Sequence, residues 1–328
     1  MVRIAIVGTG WQGQGLMSNL SSITEAELVG ACDLNPEMLA KVSAKFSVRG
    51  YADYVHMLEE SKPDGVLICT HPQTRLPLVT DAAKRGIHCF IEKPPARDME
   101  SAGKIVDVLE EYDVLNSVGF MFRYSQAVER ARELIAGRRV ALVRSCMLDG
   151  LAIRKGTPTW FFDKERSGGP VFDQAIHIFD VSRYLLGEVR AISGFQGNLT
   201  VPKSEAFTVE DSAALVFQYD NGVLQNHSHS WAYSGFKAQL QLISDEMDLL
   251  LDIGQGTLQG TIGGEEIDFR GQDSLYRFEL EAFVRAIRDR DPSVIRSSYR
   301  DSISSLAFAR SAVEALETGT TVVGSSRA

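Results

Sequence analysis

The chain has 328 residues, about the length of two typical domains, and 44% of them are hydrophobic, enough for substantial cores. A net charge of −9 with no long basic run argues against nucleic acid as a partner, because phosphate binding draws on clustered lysine and arginine. No apolar stretch approaches the ~20 residues a membrane helix needs, and the first strand begins without the charged start and apolar middle of a leader, so a cytoplasmic protein without a membrane partner is expected.

The chain opens with a strand, residues 2–7, that runs into Gly8-Thr9-Gly10-Trp11-Gln12-Gly13. This is a G-x-G-x-x-G turn between a strand and a helix, the arrangement that cradles a dinucleotide pyrophosphate on a helix N-terminus. Gly8 allows the tight turn, Gly10 lets backbone approach the phosphates, and Gly13 lets helix and strand pack closely. Trp11 is bulky enough to cover the pyrophosphate or nicotinamide side of such a pocket. A second strand, 27–32, ends at Asp33, where a carboxylate can accept hydrogen bonds from both ribose hydroxyls of NAD and repel the extra phosphate of NADP. No arginine follows in Asp33-Leu34-Asn35-Pro36, so NAD is the expected cofactor and NADP the less favoured one.

Further strands are predicted at 64–69, 87–91 and 114–119. Asn35, Asp53 and Asp98 read as helix N-caps, and Gly86 as a C-terminal stop. Strands alternating with helices imply a doubly wound parallel sheet whose ligands sit beyond the carboxyl ends of the strands. Thr70, His71, Pro72, Glu92 and Lys93 all follow strand ends and are expected to line that edge. A lysine there can stabilise a developing alkoxide or polarise a carbonyl; the competing reading is a salt-bridged surface lysine.

The pattern changes near residue 122. A helix (126–136), a strand (139–148), a loop and a helix (169–186) precede a mostly strand region from 188 to 270. Asp220-Asn221-Gly222 signals a hairpin. Helices near 274–290 and 300–317 and a short strand at 320–323 close the chain. The expectation is an N-terminal Rossmann domain, 1–121, and an α+β substrate-binding and oligomerisation domain, 122–328, built on an open, largely antiparallel sheet. The four cysteines, Cys32, Cys69, Cys89 and Cys146, lie in or beside apolar runs with no C-x-x-C pair, which reads as buried reduced thiols.

In the second half, Asp173 and His177 stand at i and i+4 on the predicted 169–186 helix, so carboxylate and imidazole share a face. A histidine titrates near neutrality, as proton transfer with a hydroxyl requires; an ordinary helix pair is the alternative. Asp180 is a supporting partner of His177 or part of a solvated face. His227 and His229 share one strand face, but no third metal ligand stands at a recognisable spacing, and no metal is expected. Trp160-Phe161-Phe162 is either a stacking platform for a sugar ring or a hydrophobic plug between the domains.

Together these motifs resemble the Gfo/Idh/MocA family, named after glucose–fructose oxidoreductase, inositol dehydrogenase and a rhizopine-catabolism protein. The resemblance runs over nearly the whole chain: the glycine turn, Asp33, Thr70 to Arg75, Gly86 to Glu92-Lys93-Pro94, Gly119 to Arg123-Tyr124, Trp160, Gly168-Gly169, Asp173-x-x-x-His177, Asp211 and the helix from Tyr276 to Ile287. It departs at His71 and Arg75, where the family often has proline and histidine. The resemblance implies hydride transfer between NAD(P) and a sugar, inositol or related polyol. Lys93, Asp173 and His177 are then catalytic and substrate-contacting, and Arg123 and Trp160 are further substrate contacts. The cofactor would be held by Gly8, Gly10, Trp11, Gln12, Gly13, Asp33, Thr70, His71, Pro72, Glu92 and Lys93. A cis Lys93–Pro94 peptide and a homodimer or homotetramer built on the exposed sheet face are also implied. The family further contains NAD-dependent glycosidases with transient hydride transfer and non-catalytic dinucleotide-binding regulators.

Overall fold

The computed structural model describes residues 1–272 and 274–324, which form two compact units. The first comprises Met1–Tyr124 and Ser274–Ile303; the second takes the remaining described residues. The helices are α1 (Trp11–Leu20), α2 (Pro36–Phe46), α3 (Tyr54–Ser61), α4 (Arg75–Ala83), α5 (Met99–Glu111), α6 (Gln126–Ile135), α7 (Lys164–Ser167), α8 (Ile176–Leu186), α9 (Leu275–Asp289) and α10 (Tyr299–Thr318).

The first unit holds six strands, β1 (Val2–Val7), β2 (Ala26–Cys32), β3 (Gly50–Tyr51), β4 (Gly65–Ile68), β5 (His88–Ile91) and β6 (Asn116–Val118). They pair in parallel in the order β3-β2-β1-β4-β5-β6, the order of a dinucleotide-binding doubly wound sheet. The two-residue β3 is the one strand here that periodicity did not reveal, being too short to carry a pattern. The helix starts are fixed as the side chains foretell. Asn35, Asp53 and Asp98 accept from the backbone N–H of Met38, His56 and Ser101 at 3.0, 2.7 and 2.7 Å. Each satisfies a donor that the first helical turn leaves over.

The core of this unit joins Ile4, Ile6, Leu16, Leu67 and Phe90 to Leu280, Phe283 and Val284 of α9. Phe90 and Phe283 meet edge to face with centroids 5.8 Å apart. The sequence expectation carried the second domain from residue 122 to the end of the chain. The apolar stripe of α9 instead covers the parallel sheet, because that sheet has two faces to bury and α9 supplies cover for one of them.

The second unit is built on nine strands. They are β7 (Leu142–Leu148), β8 (Val189–Gly197), β9 (Ser212–Tyr219), β10 (Leu224–Ser230), β11 (Lys237–Ile243), β12 (Met247–Asp252), β13 (Thr257–Ile262), β14 (Glu265–Arg270) and β15 (Val322–Val323). Their order is β14-β13-β12-β11-β7-β10-β9-β8-β15. Neighbours are antiparallel except β10 and β7. The hairpin from β9 to β10 turns at Gly222, whose φ of 89° suits glycine. Alternate residues of β9 and β10 are buried, among them Leu215, Phe217, His227 and His229. Phe179 of α8 covers this face, stacked on Phe308 of α10 at 4.7 Å and edge-on to Phe217 at 5.4 Å.

His227 and His229 are therefore core residues. Ser145 Oγ lies 2.9 Å from His227 Nδ1, whereas neither ring nitrogen of His229 has a hydrogen-bond partner. Among the described residues no cluster of three potential ligands forms around them. Burial pushes the His229 imidazolium down to about 3 and holds His227 well below the usual range, with His229 adding to the effect on His227. Both rings are neutral in the fold.

Phe283→Ala removes a ring at the centre of the first unit and is expected to cost about 3–5 kcal/mol, read from urea unfolding. The unfolded chain binds protons at His229 below pH ~6.5 while the fold refuses them until about 3, so stability is full above ~6.5 and falls as the pH drops. His229→Leu is expected to keep or raise stability at pH 7 and to remove up to about 1.4 kcal/mol per pH unit of the loss between pH 6 and 4, read from the urea midpoint at each pH.

Candidate active site

The first unit gathers its site at the carboxyl edge of the parallel sheet. Gly8 has φ 88°, and a Cβ on it would lie 2.8 Å from the carbonyl of Cys69 at the end of β4. A Cβ on Gly13 would lie 2.1 Å from the carbonyl oxygen of Gly8. The helix thus presses onto the turn as only glycine permits. Gly10 is the reverse case, since nothing stands within 4 Å of where its Cβ would point. Gly10 caps α1 without a side-chain hydrogen bond, and the first turn of α1 carries no acid. Its leading N–H groups and partial positive charge are available to an anion, and the open side of Gly10 gives that anion room. These features fit a dinucleotide pyrophosphate.

Asp33 closes on this turn. Its Oδ2 accepts from the N–H and hydroxyl of Thr9 at 2.7 and 2.9 Å, and its Oδ1 from Asn35 N–H at 2.9 Å. A carboxylate held by three donors stays oriented and keeps lone pairs for ribose hydroxyls. Trp11 is 76% exposed. Gln12 is half-buried and donates to Glu92 Oε1 at 2.7 Å, while Glu92 Oε2 accepts from the Lys93 N–H at 3.0 Å. Burial pushes the Glu92 carboxyl up from its ordinary range, against the charge of Lys93 and the Gln12 bond. The Lys93–Pro94 peptide is cis. His71 precedes the single turn Pro72–Thr74, and the Thr70 hydroxyl accepts from Thr74 at 2.9 Å. Thr9, Gln12, Asp33, Thr70, Glu92 and Lys93 are thus brought to one edge.

Glu279 of α9 is a residue the sequence reading passed over. It is fully buried, neither carboxyl oxygen has a hydrogen-bond partner, and burial together with the charge of Glu92 holds it well above the carboxylate range. Its signal was a glutamate on the apolar stripe Tyr276, Leu280, Phe283 and Val284. Arg123 is placed differently from the expectation of a substrate contact. It is buried, with its guanidinium 2.6 Å from both the Arg296 carbonyl and an Asp301 oxygen. Those partners hold the segment that follows α9.

The second unit carries Asp173 and His177. Gly168 and Gly169 take φ of 81° and 85°, Pro170 follows, and residues Val171–Ala175 form a π turn before α8 begins. The expected continuous helix is therefore wider where Asp173 sits, a feature found often at functional positions. Both side chains are buried. Gln174 between them accepts from Trp231 Nε1 at 2.6 Å and donates to Asp149 Oδ2 at 3.1 Å. Asp149 also accepts from Gly150 N–H and Arg154. This network fixes the turn that bears Asp173. Asp180 is no solvated residue: it is buried and accepts from Ser305 at 2.6 Å. Asp211 accepts from the N–H groups of Thr200 and Val201 at 2.8 and 2.7 Å, shaping that loop. Trp160 stacks on Phe161 at 3.9 Å, and Phe161 and Phe162 pack with Phe207, Val209 and Trp231. All three aromatic side chains are half-buried, and the two phenylalanines belong to a hydrophobic cluster within this unit.

Comparison with known proteins shows the family and the fold. The family profile described as "Oxidoreductase family, NAD-binding Rossmann fold" matches residues 2–120, and the "GFO/IDH/MocA C-terminal domain" matches residues 128–249. Myo-inositol 2-dehydrogenase of Thermotoga maritima is 25% identical over 328 residues, covering 96% of each chain. The NAD+-dependent scyllo-inositol 2-dehydrogenase of Bacillus subtilis is 30% identical over 224 residues, 67% of this chain and 65% of the relative. An oxidoreductase from Agrobacterium radiobacter, solved with NAD+, L-tartaric acid and magnesium, shares the fold with a TM-score of 0.85 at 19% identity over 98% of each chain. With family profiles on residues 2–120 and 128–249 and a glycine turn shaped for a dinucleotide, the chain belongs to the Gfo/Idh/MocA family of NAD-binding oxidoreductases.

Proposed function

We propose that this protein is an NAD-dependent dehydrogenase acting on a ring hydroxyl of an inositol or closely related cyclic polyol. The observation that carries the reading is the pairing, in one chain, of Lys93 at the carboxyl end of β5 in the dinucleotide unit with Asp173 and His177 on the π turn and α8. The near-complete alignment with the Thermotoga myo-inositol enzyme supports the substrate class.

Bound NAD supplies a nicotinamide ring that takes a hydride from carbon. His177 accepts the proton of the substrate hydroxyl and returns it in the reverse direction, a role that suits an imidazole near neutral pH. Lys93 stabilises the negative charge that grows on that oxygen. Asp173 orients the base and binds a neighbouring hydroxyl. Gly8, Gly10, Trp11, Gln12 and Gly13 would hold the phosphate side of the cofactor, Thr70, His71, Pro72 and Glu92 would flank it, and Asp33 would accept from the ribose hydroxyls. The carboxylate of Asp33 favours NAD over NADP by repulsion of a 2′-phosphate. Trp160, half-buried and stacked on Phe161, is a candidate face for the polyol ring.

The protein is further read as a cytoplasmic homo-oligomer. The four cysteines are all free thiols, and among the described residues no helix is long and apolar enough to cross a membrane. Val216, Leu224 and Leu250 stand exposed on the outer face of the second sheet, apolar surface that a second copy would cover.

Absorbance at 340 nm with NAD and a panel of inositols and sugars is expected to rise with a cyclic polyol. His177→Ala is expected to lower kcat by about 10²–10⁴ while NAD affinity stays within a few-fold. A fully active variant would overturn the assignment, and release of an aglycone without NADH accumulation would point to a glycosidase cycle instead. Asp33→Ala is expected to raise KM for NAD and narrow the gap to NADP; a wild-type NAD:NADP ratio of kcat/KM in that variant would remove Asp33 from ribose recognition.

A further inference from the structure

Arg75 opens α4 and is only 2% exposed. Its Nε and Nη2 donate to the Thr70 carbonyl at 3.1 and 2.8 Å. Its Nη1 donates to the carbonyls of Glu92 and Pro94, and its Nη2 reaches the Lys93 carbonyl at 3.4 Å. One side chain therefore holds four carbonyl oxygens from the two loops that leave the adjacent parallel strands β4 and β5. Three of the four are consecutive and centred on Lys93.

We propose that Arg75 is the positioning residue of Lys93, a role that rests on Lys93 acting at the substrate oxygen. A guanidinium keeps its charge when buried and presents five N–H donors in a rigid plane. Only such a fork can hold Glu92, Lys93 and Pro94 from one side and Thr70 from the other. With the carbonyls at 92, 93 and 94 all held, the backbone at Lys93 cannot rotate, so the direction in which its side chain leaves the loop is fixed. The same fork ties the Thr70 loop to the Lys93 loop, so the cofactor-flanking segment and the lysine keep a common register. Lysine offers a single point charge, and histidine at most two donors in opposite directions. Neither can replace all of these bonds. A displacement of about 1 Å at a reacting group can cost about 10²-fold in rate.

The test compares Arg75→Ala, Arg75→Lys and Lys93→Ala with the full-length wild type, each checked for native circular dichroism. Arg75→Ala is expected to lower kcat for the polyol at least ten-fold. Guanidinium ion at tens of millimolar is expected to restore a substantial part of it, while methylammonium is not. In protein without cofactor, amide hydrogen exchange of Arg75→Ala is expected to rise in peptides spanning 70–75 and 91–97 and to stay unchanged in α9 and in the second sheet. If Arg75→Ala does not fold, Arg75→Lys takes its place, with the same loss of kcat and the same localised exchange. Wild-type kcat in a folded Arg75 variant, or exchange unchanged at 91–97, would overturn the proposal. Lys93→Ala separates the two levels. If it retains full activity, the catalytic reading of Lys93 fails, whereas localised exchange in Arg75→Ala would still show that Arg75 fixes the loop.

Discussion

The first unit is organised by one close approach. Helix α1 meets the end of β1 so tightly that a single methyl at Gly13 would strike the Gly8 carbonyl, and Gly8 in turn lies against the Cys69 carbonyl at the end of β4. A turn clamped on both sides has no freedom to drift. The side chains that leave it therefore act as fixed arms. Thr9 reaches toward β2 and takes hold of Asp33, and Gln12 reaches toward β5 and takes hold of Glu92. The strand order β3-β2-β1-β4-β5-β6 places those two acids on opposite sides of β1. One glycine turn thus sets the position of a ribose-type acceptor on one side and of the Glu92–Lys93 corner on the other.

The two units meet the problem of buried ionisable groups in the same manner. Glu92 is surrounded by donors, from Gln12 and the Lys93 backbone, so burial raises its carboxyl against several opposing influences. Glu279 has none of these, and its environment favours the neutral acid. In the second unit, His227 sits against Phe179 and Phe217 and stacks on His229, and burial disfavours the charged forms of both rings. Burial pushes each of these groups toward its neutral form, and charged or charge-stabilising partners such as those of Glu92 oppose the shift.

Features that depend on a few neighbouring residues were legible in the sequence. The glycine turn, the N-caps at Asn35, Asp53 and Asp98, and the hairpin at Asp220-Asn221-Gly222 each rest on chemistry within a few positions, and each formed as read. What stayed hidden depends on distant partners. The apolar stripe of α9 announces that the helix will be buried, but not which sheet it will cover. The resemblance implies Arg123 as a substrate contact, and nothing near it in the chain announces Arg296 and Asp301, some 170 positions on, which take up its guanidinium. The π turn at Val171–Ala175 keeps the same apolar composition as an α turn, so periodicity could not tell them apart. Arg75 looked like a departure from a family pattern; its meaning lies in carbonyl groups, which no side-chain pattern records.

The discontinuity of the first unit bears on how the chain is made. Ribosomal synthesis delivers β1 to β6 early, yet Leu280, Phe283 and Val284, which complete their core, emerge only after nearly the whole second unit has been produced. During that interval Ile4, Leu67 and Phe90 lack part of their native cover, and a parallel sheet is slow to assemble and prone to association while it waits. The second unit has its residues 125–272 available before that wait is over. The second unit waits longer still, because Phe308 of α10, which stacks on Phe179, is made after α9; neither core can be finished until α9 and α10 emerge, and a fragment cut at the end of the parallel sheet would carry the nascent chain's exposed face permanently.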